Sequence, residues 1–231
     1  MDQDWTPYSY CSGKPTTRTD PDGRANAAIV AGNKAAEEAK AAKDLADDVN
    51  RWNWDATIDP GHGDNPNKWT DPGCSSGDLK EKDIALKISG GILGALQKKG
   101  FKVQLTRTED VKDAGKKLQW RIEKADGSHF FISIHVNAST DAKASGFAVF
   151  TNKKGEKLGK SIADAVDVFD VNNGSSLGEA YYLLNPKHQT GPAALVEAGF
   201  ITNASDKQKL ATQSDLIAEQ IAQGIASALG D

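Results

Sequence analysis

From residue 53 onward, short apolar runs alternate with segments in which apolar residues recur every three or four positions. Ala56–Asp59, Phe101–Thr106, Phe130–Val136, Gly146–Thr151 and Ala194–Phe200 read as short strands, several of them apolar on both faces as the buried strands of parallel sheets are. Between them Ile84, Ile88 and Ile92 fall at i+4 spacing, in a helix closed by Gly100 as a C-cap. Leu158, Ile162, Val166 and Phe169 repeat the device, and Ile217, Ile221 and Ile225 mark a last helix. Strands alternating with helices predict an α/β fold: a single domain over 53–231 with a central, mostly parallel mixed sheet of about six strands flanked by helices. In such sheets ligands gather just beyond the C-terminal ends of the strands.

The first part of the chain has a different texture. Residues 1–23 are polar and rich in turn formers, as in PTTRTDPDG, and read as an irregular arm. Residues 26–52 are alanine-rich with interspersed Glu, Lys and Asp, so helix propensity is high while large apolar side chains are scarce. The expected organisation is therefore an arm and Ala-rich helix over 1–52, followed by the main domain over 53–231.

Composition removes several classes of function. The formal net charge is −4 and no long run of Lys or Arg occurs, so the footprint of a phosphate-backbone binder is missing and no nucleic-acid partner is expected. No apolar run approaches the roughly 20 residues of a membrane span, and the N-terminus shows neither a basic nor an apolar leader region. The expectation is a chain made in the cytoplasm without a standard export signal and without a membrane partner. Cys11 and Cys74 are too few for a disulfide framework and lack thiolate metal-site spacing; they read as unpaired, a single bridge being the alternative.

Four residues carry candidate chemistry. His62, in TIDPGHGDN, lies just past a predicted strand between two glycines that let the backbone turn without crowding the imidazole. It reads either as a turn histidine bonded to a carbonyl or as a ligand. His135 ends FFISIHV at a second strand end, where it is either a satisfied core residue or the partner of an imidazole pair suited to zinc. Glu81 fits a capping box with Asp78 as N-cap and Glu81 at N3, an alternative to any role in a site. Glu197 sits inside the apolar run ALVEAGF, where a carboxylate needs a compensating cation or donor. An ion pair with Arg107 or Arg121 would serve, and so would a metal-bound water, with desolvation raising the carboxyl toward the range of a general base.

In order along the chain, IDPGHGD (58–64), LKEKDIALKI (79–88), FFISIHVNAS (130–139) and LVEAGFITN (195–203) resemble the zinc-dependent N-acetylmuramoyl-L-alanine amidases of bacterial autolysins, spore-cortex enzymes and phage endolysins. Arg107, Arg121 and GFAVFT are smaller echoes of the same pattern. The resemblance implies one zinc ion held by His62, Glu81 and His135, with Glu197 acting on its water. The implied substrate is peptidoglycan, cut at the amide between N-acetylmuramic acid and the L-alanine of the stem peptide. It further suggests a monomeric endolysin released to a thin sacculus with holin assistance, the alternatives being an autolysin or sporulation amidase, a non-catalytic wall-binding module, and a zinc carboxypeptidase. His129 stands where the family more often has Asp, and His188 lies in a loop that could approach the cleft. No long helix is inserted between Asn137 and Glu197 of the kind that plugs regulated members, so an open cleft is expected unless the N-terminal arm covers it.

Overall fold

The computed structural model describes residues 33–40, 53–64, 71–110 and 118–230. The chain divides into two compact units, Met1–Asp48 and Val49–Asp231. In the first, residues 33–40 are helical (α1) and exposed, with an i,i+4 ion pair between Lys34 and Glu38 at 3.7 Å. The arm over 1–23, Cys11 and the rest of the Ala-rich stretch lie outside the described residues.

The second unit is an open six-stranded sheet with strands in the order β4, β1, β5, β8, β6, β7. Their ranges are β1 (Trp54–Pro60), β4 (Val103–Leu105), β5 (Ser128–Asn137), β6 (Phe147–Thr151), β7 (Asn172–Leu177) and β8 (Ala193–Phe200). Strands β4, β1, β5 and β8 run parallel, whereas β6 pairs antiparallel with β8 and carries β7 parallel to itself. A two-stranded hairpin, β2 (Ser75–Ser76) and β3 (Leu79–Lys80), precedes the helix that follows it. The expected mostly parallel mixed sheet is the one observed, with strands β1, β5 and β8 extended by one to three residues beyond the apolar runs that predict them.

One face is covered by helices α2 (Glu81–Lys98), α4 (Glu156–Ala165) and α6 (Ser214–Gly230). Their apolar stripes bury Ile88, Ile92, Leu158, Ile162, Ile217, Ile221 and Ile225 against Ile58, Ile132, Ile134 and Val196 of the strands. At about 25 cal/mol per Å² this apolar burial is the main force holding the fold. The opposite face is covered more thinly, by α3 (Leu118–Lys124) and a single 3-10 turn at Tyr182–Leu184, over Phe131, Ala193 and Leu195. Thr57, Asp59, Ser133, His135 and Glu197 belong to this thin face, because residues two apart along a strand share a side and the register sets Asp59 beside Ser133 and His135 beside Glu197.

Several elements depart from the sequence pattern. Helix α4 stops at Ala165: Val166 is its extended C-cap, and Phe169 lies beyond it, stacked on Phe147 at 5.9 Å. Gly100 stands one residue past the C-cap Lys99 with φ +92, the left-handed position that ends helices. The apolar pattern marks neither the exposed edge strand β7 nor the short helix α5 (Ala204–Thr212), which Asn203 caps through bonds from Ser205 N and Asp206 N. No described helix is long and apolar enough to cross a membrane.

Candidate metal centre

Two buried arginines shape the turn that leaves β1. Arg121, on α3, donates through Nη1 to Asp59 Oδ1 and to Pro60 O, each at 2.7 Å, and through Nη2 to His62 O at 2.6 Å. Arg107, just after β4, donates through Nε to Pro60 O at 3.0 Å and through Nη2 to Gly61 O at 2.7 Å and Lys82 O at 2.9 Å. These forks satisfy carbonyls that no strand pairs, and they hold His62 at φ 58, a left-handed conformation costly for a residue with a Cβ. Asp59, fully buried, also accepts from Thr106 Oγ1 at 2.5 Å and Ser133 Oγ at 2.7 Å. Arg107 and Arg121 are thus committed to the β1 turn and to Asp59, and the ion pair with Glu197 that the sequence allows does not form.

Glu81 reaches the same place by another route. Helix α2 begins at Glu81 with Lys80 as N-cap and no side-chain cap, so the capping box with Asp78 is not present. Loop carbonyls cap the helix instead, with Glu81 N donating to Cys74 O at 2.9 Å and Lys82 N to Pro72 O at 3.1 Å. The Glu81 carboxylate is left to face the sheet edge. Its Oε2 accepts from Cys74 N at 2.8 Å and its Oε1 from Val136 N at 3.0 Å. The thiol of Cys74 is free and exposed.

His62, Glu81 and His135 converge, each offering one ligand atom within 4.8 Å of the others. Glu81 Oε1 is 3.1 Å from His62 Nε2 and 3.0 Å from His135 Nδ1, and the two imidazoles meet edge to face at 5.0 Å. Glycine permits the close approach at two points. A Cβ on Gly61 would lie 2.5 Å from His135 Cε1, and one on Gly73, whose φ is +65, would lie 2.5 Å from Glu81 Oε2. The clearance at Gly61 therefore serves His135, whereas the sequence pattern assigns it to His62.

Electrostatics separate the two carboxylates. Burial alone would raise Glu81, but the hydrogen bonds and charges of His135 and His62 outweigh it and hold it well below the usual carboxylate range. His62 is shifted the other way: burial would depress it, and the contacts with Glu81 and Asp71 win and raise it. Glu197, beside His135 in register, is pushed up to about 7 by burial, with His135 and His62 opposing and Glu81 reinforcing the shift. Its Oε2 is buried and has no hydrogen-bond partner among the described residues. An orphaned buried oxygen beside three convergent donors fits a divalent cation, and two imidazoles with one carboxylate are a set that zinc accepts.

The remaining histidines stay away from this cluster. His129 lies near the start of β5, six residues before His135, against the Phe130 ring at 4.4 Å. His188 stacks on Tyr182 at 4.0 Å, in the lining of a cavity of about 570 Å³ that also includes Gly127 and Ser128. Between β5 and β8 the one α-helix among the described residues is α4, packed on the sheet, so no inserted helix enters the site. Asp71 is a site residue that no sequence pattern singles out; its Oδ1 is 2.8 Å from His62 Nδ1.

A desolvated carboxylate beside a cluster of metal-ligating groups at the C-terminal edge of an α/β sheet fits the class of metal-dependent hydrolases. The chain belongs to the N-acetylmuramoyl-L-alanine amidase family, whose sequence pattern matches residues 57–227. It is 30% identical over 212 residues to N-acetylmuramoyl-L-alanine amidase LytC of Bacillus subtilis, covering 86% of this chain and 40% of that protein. The germination-specific N-acetylmuramoyl-L-alanine amidase of the same organism is 30% identical over 186 residues, 73% of this chain and 76% of its own length. In structure the chain is similar to the amidase AmiC2 of Nostoc punctiforme, with a TM-score of 0.68 at 30% identity over 76% of this chain and 97% of that one. The chain thus spans less than half of LytC and about three quarters of the germination-specific enzyme.

Proposed function

We propose that the chain hydrolyses the amide bond between N-acetylmuramic acid and the L-alanine of the stem peptide in peptidoglycan, with zinc as its cofactor. The observation that carries this reading is the pairing of His62, Glu81 and His135, able to hold one ion, with a neighbouring Glu197 whose carboxyl is raised to about 7. His62 offers Nε2, Glu81 offers Oε1 and His135 offers Nδ1, with the Glu81 carboxylate held by the backbone N–H groups of Cys74 and Val136. When bound, zinc supplies Lewis acidity that polarises the scissile carbonyl and acidifies water.

Glu197 performs the proton transfers. A carboxylate raised to about 7 by burial is basic enough to take a proton from the attacking water near neutral pH. Once protonated it is a competent acid, and returns that proton to the departing amine of L-alanine. Its fixed place beside His135 in the sheet gives this transfer a rigid origin. Glu197→Ala should abolish turnover while zinc content stays near one per chain by atomic absorption; loss of the ion in that variant would make Glu197 a ligand and overturn its role as base.

For the biological setting we favour a monomeric endolysin, made in the cytoplasm and reaching the sacculus by holin-assisted release, a reading supported by the sequence resemblance. The relative named for germination supports a second setting, action on the spore cortex during germination. Turbidity loss of purified sacculi from vegetative cells, compared with cortex fragments from spores, separates them: preference for vegetative sacculi supports the first, preference for cortex the second.

A further inference from the structure

The two nitrogens of His62 have different partners. Nε2 faces Glu81 Oε1 at 3.1 Å, whereas Nδ1 lies 2.8 Å from Asp71 Oδ1. A carboxylate at Nδ1 selects the tautomer protonated there and leaves the lone pair on Nε2 directed at the donor cluster. We propose that Asp71 is the positioning residue of His62, fixing its tautomer and ring orientation for metal binding, an inference that rests on the metal reading above.

The loop geometry holds Asp71 in place. Its backbone N–H donates to Asp64 Oδ1 at 2.7 Å, and its carbonyl accepts from Gly63 N at 3.0 Å, so the segment carrying Asp71 is tied on both sides to the residues that follow His62. Asp64 is fixed in turn. Its N–H donates to Asp110 Oδ1 at 3.3 Å, and its Oδ2 lies 3.3 Å from the ammonium of Lys82. That ammonium is also 2.7 Å from Asp110 Oδ2 and 3.2 Å from Asp83 Oδ1, on a side chain only 8% exposed. Charge balance explains why Asp64 and Asp110 can sit beside one another: the Lys82 ammonium lies between them.

Lys82 directly follows Glu81 at the start of α2. The first turn of one helix therefore sends Glu81 to the donor cluster and Lys82 to Asp64, which in turn accepts from Asp71 N. Two ligands, Glu81 directly and His62 through Asp71, take their positions from the same turn. Asp71 reaches the cluster through the far nitrogen of His62, so its effect passes through the imidazole.

The test is zinc affinity of the full chain, measured by competition with a chromophoric chelator, for the parent, Asp71→Ala and Asp71→Asn, each confirmed folded by circular dichroism without metal. Asp71→Ala should bind zinc about 10- to 100-fold more weakly, the usual cost of losing the carboxylate behind a ligating histidine. Asp71→Asn keeps an oxygen able to accept from Nδ1–H and should recover most of that loss, which a role confined to loop structure or to net charge would not produce. Unchanged affinity in Asp71→Ala overturns the inference, and so does an Asn variant as weak as the Ala variant. A parent chain that binds no zinc would instead overturn the metal reading on which the inference depends.

Discussion

Arg121 gives the sharpest test of how the site is built. Its guanidinium is 3% exposed and makes three hydrogen bonds, one to the carboxylate of the fully buried Asp59 and two to the carbonyls of Pro60 and His62. Replacing Arg121 by Met keeps the apolar volume of the stem while removing the charge. Asp59 then retains Thr106 and Ser133 as donors but loses its contacting cation, and two carbonyls lose their partners. Breaking a buried pair from one side costs about 3–5 kcal/mol. In a domain of this size each kcal/mol lowers the melting midpoint by roughly 2–4 °C, so the expected fall is roughly 6–20 °C. The assay is thermal unfolding for the midpoint and urea unfolding for the free energy, both with chelator present, which isolates the protein's own contribution. In Asp59→Asn/Arg121→Met the uncompensated charge is gone, so the double variant should be more stable than Arg121→Met alone, a coupling of about 0.5–3 kcal/mol. A cost below about 1 kcal/mol for Arg121→Met, or strict additivity in the double variant, would refute the view that this ion pair holds the β1 turn.

Further outcomes follow from the same geometry. A general base works deprotonated, so kcat/KM should fall as pH drops through the Glu197 midpoint; burial sets that midpoint at about 7 and a nearby cation lowers it, placing the acid limb at or below 7. In the metal-free protein the sign for stability is opposite to that of a salt-bridged carboxylate: the folded value lies above the ordinary 4.5, so Glu197 favours folding below that pH and the contribution is lost as pH rises through about 7. Chelated Glu197→Gln should therefore be more stable than the parent at pH 8, by about 3 kcal/mol at most, and equal unfolding midpoints would contradict the desolvation. Glu81→Ala should lower zinc content well below one per chain, and full occupancy would remove Glu81 from the ligand set. Gly61→Ala pushes a methyl to 2.5 Å from the His135 ring and should weaken zinc binding at least about 10-fold; unchanged affinity would mean the ring relocates without consequence.

The parts of the fold that bury apolar surface are legible in the sequence, because β1, β5, β8 and the stripes of α2 and α6 repeat with the period of their secondary structure. Strand β7 is not, since NNGSSL at a sheet edge is exposed and has no apolar face to show. At the site, the two histidines can be found from their places at strand ends. Glu81 carries a false signal: its spacing from Asp78 fits a capping box, while the helix begins at Glu81 itself because loop carbonyls from Pro72 and Cys74 receive its first N–H groups. Asp71 and the Lys82–Asp64 tie give no signal at all. They are contacts between polar residues well separated from their partners along the chain, and nothing in local spacing encodes which carboxylate arrives beside His62.

Whether His62, Glu81, His135 and Glu197 together cut the muramoyl–L-alanine amide with zinc is decided by mass spectrometry of purified peptidoglycan digested with and without a chelator. The expected products are free stem peptides bearing an N-terminal L-alanine, released by the untreated protein, lost on chelation and restored by added zinc. Shortened peptides still attached to muramic acid, or release of the same stem peptides undiminished by chelation, would contradict that assignment.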